Sequence, residues 1–237
     1  MCINDTKMAL IQNIKIAVDA VVFGYESKKS LSVLLIKRGV EPFKDAWALP
    51  GGLVLEEESL EAAVKRELRE ETGVTIDYLE QLYTFGEPKR DPRNRVVAVS
   101  YFALVKPHHF KIEASTDAVE AQWFTLDKLP KLAFDHKKIL DMAKERLKAK
   151  LTYQPIGFDL LNKEFPFSDL EHLYTSILEK DIDRRNFRKK ILSFDILEET
   201  DKISQKGSGR PAKLFKFNQK KYNALLQEGF HFEIKFV

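Results

Sequence analysis

Apolar residues recur along the first half of the chain in two alternating rhythms. Dense short runs of β-branched and aromatic residues predict strands at IKIAVDAVVFGY (14–25), LSVLLIKR (31–38), VVAVSYFALV (96–105) and AQWFTL (121–126). Between them, residues 57–72 carry helical spacing. KKILDMAKERLKAK (137–150) then places Ile139, Leu140, Ala143 and Leu147 on one helical face. That helix closes a first unit, 1–150, of α/β class, and TYQPIGFDLL opens a second, 151–237.

The second unit has a different rhythm. FSDLEHLYTSILEK (167–180) predicts a helix, with Ser168 as N-cap and Glu171 at the capping-box position. RRNFRKKILSFDIL (184–197) predicts another, turning Phe187, Ile191, Leu192 and Ile196 toward a core. EETDKIS and AKLFKFN are strand-like and flank QKGSGRP, a Gly-rich basic turn. Helix, short turn, basic helix and two-stranded ribbon is the order of a winged helix-turn-helix.

Composition narrows the class. Charged residues are 32% and hydrophobic ones 44% of 237, which fits a globular protein. One cysteine, Cys2, leaves no disulfide framework or thiolate cluster and points to a reducing, cytoplasmic setting. The beginning of the chain shows no secretory pattern, and no apolar run reaches the roughly 20 residues that span a bilayer, so no membrane is expected. The net charge of +3 conceals a polarised distribution. Residues 184–221 hold twelve basic and four acidic side chains, a net of +8; residues 151–183 hold two and seven, a net of −5. Such segregation concerns partners rather than fold.

The acidic stretch GGLVLEEESLEAAVKRELREETGV (51–74) is not patterned as a solvated helix. At about 100° per residue from Leu60, Val64 falls near 40°, Leu68 near 80° and Ala63 near −60°. Glu67 and Glu71 fall inside that apolar arc and Glu70 at its edge, whereas Glu58, Lys65 and Arg69 lie opposite. Half-buried carboxylates at i and i+4 must shift their pKa or meet a cation. Hard oxygen ligands at this spacing suit Mg²⁺ or Mn²⁺. Gly51 and Gly52 would admit a close backbone approach to that metal.

Gly52, Glu58, Arg66, Glu67, Leu68, Glu70, Glu71, Gly73 and Val74 also fill every fixed position of the Nudix box, G-x5-E-x7-R-E-U-x-E-E-x-G-U. The resemblance implies an α/β/α sandwich that cleaves nucleoside diphosphates linked to another moiety. It makes Gly51, Glu67, Glu70 and Glu71 the candidate metal set. Arg66 resembles the arginine that orients these carboxylates, and could pair with Glu70. Such metal-assisted hydrolysis activates a water at phosphorus. Glu120 or Asp117, in STDAVEAQW, are candidates for a base outside the helix.

FGEPKRDPRNRVVAVSYFALV (85–105) resembles the segment that follows the box in ADP-ribose pyrophosphatases and their regulatory relatives. Arg90, Arg93 and Arg95 could meet a diphosphate, or could form a basic surface loop turned by Pro88 and Pro92. Arg38 and Gly52 are further ligand candidates, and Trp47 suits core or pocket wall better than base stacking.

In the basic segment, Arg184, Arg185, Asn186, Arg188, Lys189 and Lys190 are left to solvent or a polyanion. Arg and Asn at a helix start suit base edges, and Lys206, Arg210 and Lys213 on the wing suit phosphates. YQPIGFDLL, LDKLPKLAFDH, DRRNFRKKIL and GRPAKLFKF resemble the Nudix-related transcriptional regulator (NrtR) family. That resemblance implies a Nudix-like sensor of ADP-ribose or a sugar metabolite, joined to a winged helix and acting as a homodimer on a double-stranded operator. Two functions follow as expectations: a ligand-responsive transcriptional regulator, or a Mg²⁺-dependent pyrophosphatase whose winged helix is secondary.

Overall fold

The computed structural model describes residues 13–26, 30–76, 79–112, 118–204 and 211–237. The first unit runs β1 (Lys15–Gly24), β2 (Ser32–Arg38), β3 (Trp47–Ala48), β4 (Gly51–Leu53), α1 (Leu60–Thr72), β5 (Glu80–Phe85), β6 (Val96–Val105), β7 (Ala118–Thr125) and α2 (His136–Tyr153). Its sheet follows the order β3-β2-β1-β6-β5, with β4 also on β1 and β7 on β2. β1 and β6 pair in parallel from Lys15↔Val96 to Gly24↔Val105.

β1 reads as a nearly continuous apolar run because both its faces are covered. Val18, Ala20 and Val22 pack with Ala63, Val64 and Leu68 of α1. Val21 and Phe23 pack with Ile139, Leu140, Ala143 and Leu147 of α2. The sheet therefore lies between two helices, the α/β/α sandwich expected.

Helix α1 starts at Leu60, later than the helical spacing suggests, because Ser59 caps it: its hydroxyl accepts from the Ala62 N–H at 3.1 Å. It stops at Gly73, whose φ of 71° lets its N–H reach the Arg69 carbonyl at 3.0 Å.

The second unit runs β8 (Phe165–Pro166), α3 (Phe167–Leu178), α4 (Arg184–Ser193), β9 (Leu197–Ser204), β10 (Ala212–Phe217) and α5 (Gln219–Glu228). Its sheet follows β8-β10-β9, which completes a winged helix. Two expectations are corrected. Ser168 does not cap α3: the helix already begins at Phe167, Pro166 holds the cap position, and burial of Phe165 and Phe167 fixes that entry. α4 ends at Ser193 rather than continuing to 197, since Asp195 turns the chain at φ 55°. Leu192 is consequently 37% exposed, and Ile196 reaches the core from beyond the turn.

One continuous cluster of buried apolar side chains joins the units, uniting Leu147 and Leu151 of α2 with Leu170, Tyr174 and Ile177 of α3. At its edge Lys144 and Lys148 of α2 each lie 2.7 Å from Glu179, the C-cap residue that follows α3. No helix among the described residues is long and apolar enough to cross a membrane.

Candidate functional site

β4 is held against β1 in the register Val18↔Gly52 and Asp19↔Gly51, and this brings the glycine pair onto α1. A Cβ on Gly51 would stand 2.1 Å from the Val18 carbonyl oxygen; one on Gly52 would stand 2.3 Å from Glu67 Oε1. At Gly51, where the obstacle is main chain, only glycine permits the approach; at Gly52 a larger residue would have to displace the end of the Glu67 side chain. Glu71 is 5% exposed and accepts from the Gly51 N–H at 2.8 Å. Glu67 and Glu71 thus face inward, as the helical arc predicts.

Arg66 organises the carboxylates. It donates to both oxygens of Glu58 (2.9 and 2.6 Å), to Glu67 at 2.9 Å, to Glu70 at 3.2 Å and to the Leu53 carbonyl at 3.2 Å. The hydrogen bonds from Arg66 hold Glu58 down to about 2. Burial pushes Glu67 up from the ordinary carboxylate value, although Arg66 pulls the other way.

The donor set suits a hard divalent cation in kind but not in placement. Among the described residues no group of three or more His, Cys, Asp or Glu side chains is arranged to hold a metal ion. Arg66 bonds both Glu67 and Glu70, and one Glu71 oxygen is turned to Gly51. The expected set Gly51, Glu67, Glu70 and Glu71 therefore lies in one region without converging. Glu120 is exposed on β7 opposite Lys37, and among the described residues no hydrogen bond or ion pair ties it to the box carboxylates. Asp117 lies outside the described residues.

Beside the glycines a small cavity is lined by Asp19, Arg38, Gly51, Gly52, Arg93 and Phe134, with Arg90 and His136 in its wall. Arg90 does not project into solvent as a phosphate ligand would. Its side chain is 5% exposed and donates to Asp19 at 3.0 Å and to Asp135 at 2.8 and 3.1 Å. Burial opposes its charge, but Asp135 and Asp19 outweigh that and keep it cationic. Arg93 is half-exposed at the cavity, donating to Asp91 at 2.8 and 3.1 Å. Arg38 donates to the Pro42 carbonyl at 2.9 Å and lies 4.9 Å over the Phe134 ring. Arg95 is directed instead at the carbonyls of Val96 (3.2 Å) and Glu87 (3.5 Å), away from the cavity lining. Trp47 packs edge-on against Phe124 at 4.6 Å, as core.

Sequence reading missed Asp19, Asp135 and His136. Asp19 had a readable signal, as the lone acid inside the apolar run IKIAVDAVVF. His136 Nδ1 accepts from the Leu49 N–H at 2.9 Å, so the ring proton is on Nε2, 3.6 Å from Asp19 Oδ1. Burial pushes this imidazole below its ordinary value and keeps it neutral.

In the second unit α4 turns Phe187 and Ile191 inward and leaves Arg184, Arg185, Arg188 and Lys189 exposed. Lys189 lies roughly opposite the midpoint of those two buried residues at the helical 100° step. Asn186 is partly occupied: its backbone N–H donates to the Asp183 cap at 3.1 Å and its side chain donates to the same carboxylate. Arg188 lies 4.6 Å over Phe167 and 5.4 Å over Phe215, so it packs as well as charges the surface. Lys190 lies 5.1 Å over Phe194, and Lys213 pairs with Glu199 across the ribbon. Lys206 and Arg210 lie outside the described residues.

Residues 14–143 match the family model of the NUDIX domain, and residues 157–217 that of the NrtR DNA-binding winged helix domain. The chain is 36% identical over 212 residues to the ADPR responsive transcriptional repressor NtrR of Acinetobacter baylyi, covering 87% of this chain and 83% of that protein. It is 43% identical over 125 residues to the ADP-ribose pyrophosphatase of Methanocaldococcus jannaschii, covering 53% of this chain and 70% of that one. The Shewanella oneidensis NrtR complexed with a 27mer DNA matches with a TM-score of 0.74 at 33% identity, over 92% of this chain and 98% of that one. The NUDIX domain of the same protein complexed with ADP ribose matches with a TM-score of 0.54 at 38% identity, over 58% of this chain and 90% of that one.

Proposed function

The chain belongs to the NrtR family, a Nudix unit joined to a winged helix DNA-binding domain, and on that premise we propose that it is a transcriptional regulator whose Nudix unit senses ADP-ribose. The sensor occupies 1–150 and the DNA-binding unit 151–237. The regulator works as a homodimer on a double-stranded operator. The observation that carries this reading is the exposed basic face of α4, mounted on a unit that shares one apolar core with the sensor. In the cavity, Arg38, Arg93 and the Gly52 backbone are positioned to meet a diphosphate. On α4, Arg185 and Lys189 supply the charge that faces DNA, with Arg184, Arg188 and Lys190 beside them.

A ligand shifts such a regulator only if it binds the DNA-competent and incompetent forms unequally. The test is a titration of ADP-ribose against the protein bound to labelled duplex from upstream of its own gene. A change in DNA affinity of about fivefold or more is expected, the scale of ordinary allosteric coupling. DNA affinity that stays constant while ADP-ribose demonstrably binds would overturn the reading.

A second reading, Mg²⁺-dependent hydrolysis of ADP-ribose, is favoured by the complete carboxylate set of α1 and by the inward Glu67. It requires those oxygens to converge, and Arg66 to give up part of its hold on Glu67 and Glu70. Glu67→Gln should abolish any Mg²⁺-dependent release of AMP from ADP-ribose. Absence of turnover in the unsubstituted protein, with ADP-ribose still bound, removes this reading.

A further inference from the structure

Beyond Glu228 the chain turns back along the winged helix. The Asp183 N–H donates to the Lys235 carbonyl at 3.0 Å and the Val237 N–H donates to the Asp181 carbonyl at 3.2 Å. Ile182 and Phe236 form an antiparallel bridge between these bonds. Phe232 and Ile234 are buried, and the rings of Phe230 and Phe232 lie 5.4 and 5.9 Å from Phe194, the C-cap residue that follows α4. The tail is therefore pinned to both ends of α4 by its own main chain and by alternate side chains.

That alternation turns His231, Glu233 and Lys235 outward. They face Asn186, Lys189, Lys190 and Ser193 of α4 across a single groove. Glu233 is the one acid of the groove lining and stands against three lysines, Lys189, Lys190 and Lys235, so the lining is net positive even with the Asp183 carboxylate close enough to act on Lys235. Lys189 belongs both to this groove and to the outward face of α4, so the two surfaces are continuous. The winged helix family model ends at 217, and the tail lies beyond the domain it describes.

We infer that the groove between α4 and the C-terminal tail is a phosphate-contact surface, which seats one strand of the DNA backbone beside the base-facing side of α4, with Lys235 as its tail cation. A groove with cations on both walls, beside a helix that presents its charges to a duplex, fits a polyanion of fixed phosphate spacing. The inference rests on the DNA-binding reading, and it assigns the tail a direct contact rather than a purely bracing role. The brace is made by main-chain atoms and by Phe232 and Ile234, so the Lys235 side chain can be changed without removing it.

The test uses the full chain and a fluorescein-labelled duplex of mixed sequence, because the phosphate contribution is independent of base sequence. Affinity is measured from about 50 to 200 mM KCl, over which counterion release is resolved. Lys235→Ala should reduce the slope of log affinity against log salt by about 0.9, the value of one lost phosphate contact. Its melting temperature should stay that of the parent, and Lys235→Arg should retain the parental slope. Parental affinity and slope in both Lys235→Ala and Lys235→Glu would overturn the inference and leave the tail a brace. If the parent itself shows no salt-dependent duplex binding, it is the DNA-binding reading that falls, and the two failures are thereby distinguished.

Discussion

Arg90 donates to Asp135 at 2.8 Å, linking the loop after β5 to the residue that precedes α2. The same guanidinium meets Asp19 of β1 at 3.0 Å, so one cation ties sheet, loop and helix together beneath the cavity. Both Arg90 and Asp19 have side chains no more than 7% exposed. Arg90→Ala would leave an uncompensated buried carboxylate and should cost about 3–5 kcal/mol in stability. Arg93→Ala, at a side chain 48% exposed, takes the partner from Asp91, whose side chain is 8% exposed but which keeps its bond from the Arg93 N–H, and should cost less, about 1–3 kcal/mol. Urea unfolding of the two variants measures the difference, and equal losses would show that the Arg90 network does not brace the fold.

The two glycines of β4 should respond differently to an added methyl. At Gly51 the obstacle is main chain, the Val18 carbonyl oxygen, and φ is 154°. Gly51→Ala should therefore lose at least about 2 kcal/mol, the scale of a strained backbone residue. At Gly52 the obstacle is the far end of the Glu67 side chain, which can swing aside. Gly52→Ala should stay within about 1 kcal/mol of the parent, as displacement of a movable side chain allows. It should nevertheless disturb ADP-ribose binding through the displaced Glu67. Thermal melts with and without ADP-ribose separate the two effects.

Much of this arrangement was legible because its signals are periodic. The inward turn of Glu67 and Glu71 follows from their angle to Leu60, Val64 and Leu68, and β1 announced itself by residues that need cover on both faces. Short elements without a period were not legible: β3, β4 and β8 are two, three and two residues long and exist through their partners. Arg90 misled because a basic residue between prolines looks like a surface loop. What buries it is Asp19, distant in sequence, together with Asp135, and no local pattern records that pairing. The tail beyond Glu228 was silent for the same reason: its Phe and Ile residues alternate, but what they pack against is Phe194 and the turn before α4.

Arg188 has two roles that substitution can separate. It is exposed on α4, yet its guanidinium covers the rings of Phe167 and Phe215 at 4.6 and 5.4 Å. Arg188→Ala should therefore lower stability by about 0.5–1 kcal/mol in addition to weakening DNA binding. Arg185→Ala and Lys189→Ala should leave stability within about 0.5 kcal/mol of the parent, as expected of surface substitutions. Combined, they should reduce the salt slope by about 1.8, two phosphate contacts. Denaturant unfolding beside duplex titration tests this, and a stable Arg188→Ala would refute the packing role.

His136 provides a pH signature of the buried network. Burial holds its folded-state pKa below the ordinary 6.5, while the unfolded chain protonates near that value. Between the two values the unfolded state binds the extra proton, so protonation favours unfolding. The contribution is fully present above 6.5 and is lost as the pH falls from there toward the folded-state value. The slope from this one group can reach about 1.4 kcal/mol per pH unit. His136→Asn offers an Oδ1 acceptor near the position of Nδ1, so it can keep the Leu49 N–H paired while removing the titration. Stability measured across that range should fall more steeply in the parent than in His136→Asn as acid is added. Identical slopes would mean that the imidazole protonates in the folded protein as readily as in the unfolded chain, contrary to its burial between Leu49 and Asp19.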